Sequence, residues 1–150
     1  KQERVGQGGK VFKIVKFRTM YSDAEIDGPK FSNKNDPRVT RVGRFLRKFH
    51  LDEIPQFWNV LKGDMSLIGP RPEQVEFVRE FEKKIPYYNL RHLVKPGITG
   101  WAQVQYGYAA SLDETVEKLE YDLFYIKNPS IWLDLAIAIK TLRILILLER

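Results

Sequence analysis

The chain has no cysteine, and only two histidines and two methionines among its 150 residues. Without cysteine there is neither a disulfide framework nor a cysteine-ligated zinc site. Repeats and low-complexity tracts are missing too, which excludes solenoid and disordered-tail architectures. An uninterrupted apolar run long enough to span a bilayer is also lacking. The richest stretch, 131–148, holds 14 apolar residues in 18, but Asp134, Lys140 and Arg143 fall inside it. It is expected either to pack on the domain or to lie along a bilayer surface.

Apolar residues make up 43% of the chain, enough for one globular domain over 1–150 with a real core. The net charge is +6, and it is unevenly spread. Residues 1–50 carry 13 basic and 5 acidic side chains, residues 51–100 balance, and 101–150 sum to −2. A basic first third points to a polyanionic partner: anionic lipid, phosphorylated substrate or nucleic acid. No nucleic-acid motif accompanies the charge, so no nucleic-acid partner is assigned.

Residues 1–20 read as a β-hairpin, with Gly6-Gln-Gly8-Gly9 as the turn and Lys10–Met20 as the second strand. Lys16 and Arg18 share one face of that strand. Residues 21–37 form a polar loop, longer than most inside a compact domain, of the kind that is either a lid or disordered. From Val39 to Phe49 the spacing is helical, with Val39, Val42, Phe45, Leu46 and Phe49 opposite Arg41, Arg44, Arg47 and Lys48. That basic face suits either water or an anionic membrane interface. Pro72 is placed at the start of a helix striped by Val75, Val78, Phe81 and Ile85. Ser111-Leu-Asp-Glu114 is a capping box opening a core helix through Leu112, Val116, Leu119, Leu123 and Ile126. The fold class expected is α+β, a mainly helical single domain with a small N-terminal β-hairpin and amphipathic membrane-surface helices.

The chemistry gathers in residues 44–72. Pro55 fits a first helical turn, and Gly63 a C-terminal stop, so Asp52 and Glu53 sit at a helix N-terminus. Asp is a favoured N-cap, and acids there complement the helix dipole. Arg41, Arg44, Arg47 and Lys48 precede the pair, however, and Arg71 follows it. Carboxylates among fixed cations suit a phosphate-handling site, because the cations neutralise a phosphoryl group that an acid would repel. His50 is read as a packing or capping residue rather than a base, and His92 has no partner legible in the sequence.

Leu51-Asp52-Glu53-Ile-Pro55-Gln and Gly63-Asp64-Met65-Ser66-Leu-Ile-Gly69-Pro70-Arg71-Pro72 resemble the bacterial sugar transferases, the monotopic polyprenyl-phosphate phosphoglycosyl transferases. Lys16-Phe-Arg18-Thr-Met20, Lys95-Pro96-Gly97-Ile-Thr99-Gly100-Trp-Ala-Gln103-Val104, and Tyr121-Asp122 leading to Asp134 agree in the same order. The resemblance covers nearly the whole chain. It implies transfer of a sugar 1-phosphate from a UDP-sugar to polyprenyl phosphate, on the cytoplasmic face of the bacterial inner membrane. It implies Asp52 as a covalent nucleophile, and Glu53 as a catalytic acid that ligates Mg²⁺. Lys16, Arg47, Arg71 and Asp134 are implied in substrate-phosphate binding. Pro96-Gly97 and Thr99-Gly100 read as a tight turn whose bare N–H groups can approach a nucleotide; with Gln103 this resembles the family's nucleotide-sugar corner. Relatives carry a hydrophobic hairpin before this region, so the resemblance implies a catalytic fragment without its anchor. Gln105-Tyr-Gly-Tyr108 replaces the Asn-Gly-Arg of short members and looks like the larger exopolysaccharide-priming ones, which suggests UDP-glucose or UDP-galactose. A homo-oligomer is left open. The rival reading is a non-catalytic basic module that binds anionic membrane, for which Asp52-Glu53 has no use.

Overall fold

The N-terminal hairpin forms in the computed structural model, which describes residues 2–24, 26, 28, 36–106 and 111–147. Strands β1 (Gln2–Val5) and β2 (Val11–Ile14) pair antiparallel around the glycine turn. The second strand is shorter than expected. After Ile14, which pairs with Gln2 at the end of the ladder, the chain leaves it, and the Asn59 side chain holds its outer edge: Val15 N donates to Asn59 Oδ1 (2.9 Å), and Asn59 Nδ2 donates to Lys13 O (2.9 Å). Lys16 and Arg18 therefore do not share a strand face; Lys16 is half-buried and Arg18 exposed. Of the loop expected at 21–37, residues 25, 27 and 29–35 lie outside the described residues, as do Gly107, Tyr108 and Leu148.

Helix α1 (Arg41–Lys48) is capped by Thr40, whose Oγ1 accepts from Gly43 N at 2.8 Å. Its periodicity is as expected, but its orientation is not. The helix docks through Gly43, where an added Cβ would lie 1.9 Å from Thr19 O, while Val42, Phe45 and Phe49 stay exposed. Residues Leu51–Gln56 form a 3₁₀ helix containing Pro55, which runs into α2 (Phe57–Lys62). Gly63 closes α2 at φ 83°, the left-handed conformation in which a glycine stop is favoured.

Two strands were not legible in the sequence. β3 (Ser66–Ile68) and β4 (Gly97–Thr99) pair parallel, Ser66 opposite Gly97 and Ile68 opposite Thr99. The expected glycine turn is thus a strand. The Gly97 amide is occupied, donating to Pro70 O (2.9 Å), and the Thr99 carbonyl accepts from Gly69 N (2.9 Å). The missing side chains permit a close backbone-to-backbone approach. A Cβ on Gly97 would stand 2.2 Å from Gly69 N, and one on Gly100 would stand 2.2 Å from Gly69 O.

Helix α3 spans Val75–Lys84, so Pro72 and Glu73 precede it rather than opening it. Gln74 is held extended by a bridge to Arg4 of β1, which delays the helical start. Val78, Phe81, Ile85, Tyr88, Val5 and Leu119 make the core cluster. After a 3₁₀ helix (Tyr88–Leu93) and the short α4 (Trp101–Gln105), α5 (Leu112–Lys127) begins at the expected capping box. Its buried face is turned from the expected one. Thr115, Lys118, Leu119 and Asp122 are inside, whereas Leu112 and Val116 are exposed. Ion pairs draw the two charged residues inward, Lys118 to Glu73 (3.0 Å) and Asp122 to Arg91 (2.7 Å). Helix α6 (Ile131–Leu147) packs through Ile137 and Thr141 and leaves Ile131, Trp132, Ile139, Leu142 and Ile146 exposed. Among the described residues, no helix is long and apolar enough to cross a membrane.

Candidate active site

Asp52 and Glu53 lie in the first turn of the Leu51–Gln56 helix, and neither is its cap. The capping position belongs to His50, held at φ 53°, and no side chain there bonds the helix end. The left-handed residue at 50 turns the chain sharply between α1 and the acid pair. Asp52 is 8% exposed. Its carbonyl accepts from Phe17 N (3.0 Å), which ties the exit of the hairpin to the acid pair and brings Lys16 beside it.

Four cations converge on this corner from distant segments. Arg71 clamps Glu53, with Nη2 donating to Oε1 at 2.7 Å and Nη1 to Oε2 at 3.5 Å. Arg47 reaches in from α1, its Nε donating to Thr19 Oγ1 at 2.9 Å. Arg4 adds its charge from β1, and Lys16 stands among them. Burial, with repulsion from Arg4, Arg71 and Arg47, lowers the Lys16 ammonium to about 8. Burial is also the main reason that Asp52 is raised, with the Glu53 charge adding, against the pull of Arg47 and Lys16. Burial pushes Glu53 upward as well, but the charge and hydrogen bonds of Arg71 outweigh it, so Glu53 sits below the usual carboxylate range. Adjacent acids are thereby separated in character: one is a stabilised anion, the other a destabilised and more basic carboxylate.

The Arg71 segment is anchored in an unusual way. Pro70 and Pro72 have no N–H, so the backbone is held by its carbonyls. Pro70 O accepts from Gly97 N (2.9 Å), Arg71 O from Arg91 Nη2 (2.9 Å), Pro72 O from Arg4 Nη1 (3.2 Å), and Glu73 O from Val5 N (3.1 Å). Glu73 itself is pulled down to about 2 by Lys118, Arg91 and Arg4 despite its burial.

The remaining sequence candidates lie elsewhere. Asp134 accepts from Tyr125 Oη (2.9 Å) where α5 meets α6, a contact that, after burial, raises the tyrosine to about 12. Thr99 Oγ1 shares a hydrogen with Thr141 Oγ1 (2.7 Å), Gln103 Nε2 donates to Ile98 O (3.0 Å), and Pro96 O accepts from Ser66 N (2.8 Å). These groups build the β3–β4–α6 junction. Among the described residues, Gln103 Oε1 is buried without a hydrogen-bond partner. His92 is buried edge-on against Tyr88, ring centroids 6.2 Å apart, and burial lowers its imidazole to about 4. Sequence reasoning gave no role to Arg91, Asp122, Asn59 or Lys118; the only signal was their place near quoted motifs.

As for a metal, the described residues contain no group of three or more His, Asp or Glu placed to hold an ion. The donor set at the corner is two hard carboxylates. Mg²⁺ suits such a set, because it keeps several waters and takes one or two carboxylates with substrate phosphate oxygens. Glu53 Oε2, the oxygen with the longer contact to Arg71, is the one that fits this use.

Asp52, buried, and Glu53, partly so, stand with Lys16, Arg47 and Arg71 around them on a mainly helical α+β domain, and cations so placed can neutralise a phosphate group. The chain matches the family model described as Bacterial sugar transferase over residues 1–147, and it belongs to that family. It is 58% identical over 142 residues to a UDP-N-acetylgalactosamine-undecaprenyl-phosphate N-acetylgalactosaminephosphotransferase of Aeromonas hydrophila, covering 95% of this chain and 34% of the relative. It is 48% identical over 143 residues to a UDP-glucose:undecaprenyl-phosphate glucose-1-phosphate transferase of Klebsiella pneumoniae, covering 94% and 31%. With Galactosyl transferase CpsE of Streptococcus agalactiae the identity is 42% over 157 residues, covering 97% and 34%. The chain spans about a third of the length of these relatives.

Proposed function

We propose that this chain is the catalytic part of an undecaprenyl-phosphate sugar phosphotransferase, working through a covalent aspartyl-phosphosugar. The observation that carries the reading is the Asp52 carboxylate, made more basic by burial and by Glu53, with Arg47 and Lys16 acting on it and Arg71 clamping its neighbour Glu53. Asp52 attacks the sugar-linked phosphorus of a UDP-sugar. An aspartyl O–P bond forms, the diphosphate bridge breaks, and UMP leaves. An oxygen of polyprenyl phosphate then attacks the same phosphorus, giving a polyprenyl diphosphosugar and regenerating the Asp52 carboxylate. Splitting one displacement into two is what nucleophilic catalysis supplies. Lys16, Arg47 and Arg71 hold phosphate oxygens and neutralise the charge that builds on them. Glu53 holds Mg²⁺, which when bound offsets phosphate charge. The names of the relatives support the reaction class.

The sugar is the finer part. The Gln105-Tyr-Gly-Tyr108 stretch favours UDP-glucose or UDP-galactose, while the relative at 58% identity carries an N-acetylgalactosamine name. The place of action in this reading is the cytoplasmic face of the inner membrane. Exposed Phe45, Phe49, Phe57, Trp58 and Leu61 next to a basic α1 support it, because Lys and Arg beside large apolar groups suit an anionic interface.

The test is trapping. With a UDP-sugar and no lipid acceptor, the chain in detergent should gain one phosphosugar on Asp52 by intact-protein mass spectrometry. Adding polyprenyl phosphate should remove it. UDP-glucose, UDP-galactose and UDP-N-acetylgalactosamine run side by side decide the sugar. Asp52→Asn should release no UMP and form no adduct, with a loss on the order of 10⁴-fold or more. Turnover by Asp52→Asn at the wild-type rate would end the covalent reading.

A further inference from the structure

The carbonyl-anchored segment depends on one buried cation that lies outside the reacting groups. Arg91 sits in the Tyr88–Leu93 helix with 3% of its side chain exposed, and Asp122 on α5 with 2%. Its guanidinium is fixed from several directions: Nη2 donates to Asp122 Oδ2 (2.7 Å), Nη1 donates to Tyr88 Oη (2.7 Å), and the group lies 5.1 Å from the Tyr88 ring centroid. Nη2 also reaches the carbonyl of Arg71 at 2.9 Å. That carbonyl belongs to the residue whose side chain clamps Glu53.

We propose that Arg91, oriented by Asp122, is a positioning residue that sets the backbone of Arg71 and through it the Arg71–Glu53 clamp beside Asp52. The argument rests on the transferase reading for its catalytic consequence, but not for its geometry. A buried ion pair is not by itself a strong stabiliser relative to an apolar pair of the same volume. What the pair does here is direct a donor. The neighbouring carbonyls of Pro70 and Glu73 are held by main-chain N–H groups, and Pro72 by the part-exposed Arg4, whereas Arg71 relies on a side chain that a carboxylate must hold in place. A planar fork reaches Tyr88 from one nitrogen and Asp122 and Arg71 from another, a spread that an ammonium, with its donors on one atom, lacks.

The test uses two variants. Arg91→Lys keeps the charge beside Asp122 and loses the fork; Arg91→Met with Asp122→Leu removes both buried charges at once. Each is made alone and together with Arg71→Lys, with Lys84→Ala at the exposed Glu80 pair as a control expected to behave as wild type. UMP release should show kcat down about 10- to 100-fold with KM for the UDP-sugar changed less than about threefold, since displacement by about 1 Å at a reacting group costs that much. On the Arg71→Lys background the same changes should cost less than about threefold, because the pathway through Arg71 is already broken. A readout without turnover is the Arg71 Nε–H resonance, assigned by its loss in Arg71→Lys. It should move towards the position of exposed arginines in both variants. If the wild-type chain releases no UMP, the transferase reading fails and the resonance alone decides the positioning claim. If the pair variant does not fold, Arg91→Lys decides it. A folded Arg91→Lys with wild-type kcat and an unmoved Arg71 resonance overturns the proposal, as does full additivity with Arg71→Lys.

Discussion

Gly97→Ala separates two uses of a glycine that look alike in sequence. In the first, the bare amide touches a nucleotide; alanine keeps that N–H, so the fold should be unchanged and only nucleotide binding should weaken. In the second, the absence of a Cβ lets two backbones meet. The new methyl would stand 2.2 Å from Gly69 N, 2.4 Å from Thr99 O and 2.7 Å from Gly69 O, all main-chain atoms that cannot rotate away. Ordinary contact needs more than 1 Å of extra separation, which loosens the bonds Gly97 N–Pro70 O, Ser66 N–Pro96 O and Gly69 N–Thr99 O, at 2.8 to 2.9 Å. Overpacking costs about 1–3 kcal/mol, and weakened hydrogen bonds contribute about 1 kcal/mol each, so roughly 3 kcal/mol or more is expected. For a chain of this size that lowers the midpoint by about 6–12 °C. Gly8→Ala, with nothing within 4 Å and only a φ of 65° against it, is the comparison; strain alone should cost it about 1–2 kcal/mol. Circular dichroism melts of both variants are the assay. A Gly97→Ala midpoint within about 2 °C of wild type would refute the reasoning, since main-chain overlap of this size cannot be thermally silent.

Lys16, lowered to about 8, should lose its charge as pH rises through that value, so an alkaline limb of UMP release is expected there. Lys16→Arg should move that limb upward. For folding the sign is opposite: a depressed ammonium opposes the fold below about pH 8, and that cost fades as pH climbs towards 10.5. Chelation should stop turnover while leaving the melting midpoint unchanged, and Glu53→Gln should raise the Mg²⁺ requirement; full activity in excess chelator would remove the metal role. Vesicle sedimentation should show binding to anionic over neutral lipid that weakens with salt, because exposed charges are screened within about 8–10 Å. Equal, salt-insensitive binding to both would remove the electrostatic part.

The elements legible in the sequence were those written in local chemistry. Ser111 and Glu114 cap α5 reciprocally as their spacing dictates, Gly63 stops α2, and Val78, Phe81 and Ile85 face inward together. Asp52, Glu53, Lys16, Arg47 and Arg71 do share one charged corner. What escaped was set by partners far along the chain. Lys118 and Asp122 are polar letters that a hydrophobic pattern assigns to water, yet Glu73 and Arg91 pull them inside. Three-residue strands carry too few positions for alternation to show, so Ser66–Ile68 went unassigned and Gly97–Thr99 read as a turn. Periodicity found the apolar stripe of α1 but could not say that Gly43, not Phe45, would meet the protein.

Asn59, 1% exposed, offers one amide oxygen and one amide nitrogen to the outer rim of β2, in the order in which a third strand would present them. On the other side, Glu73 and Gln74 occupy the rim of β1. A two-stranded ribbon normally leaves both flanks as templates on which another chain can add a strand. Here both flanks are engaged before a neighbour arrives. This keeps the hairpin from seeding sheet growth between copies. Asn59→Leu, which fills the space but offers no peptide-like pair, would reopen the β2 flank next to Lys16.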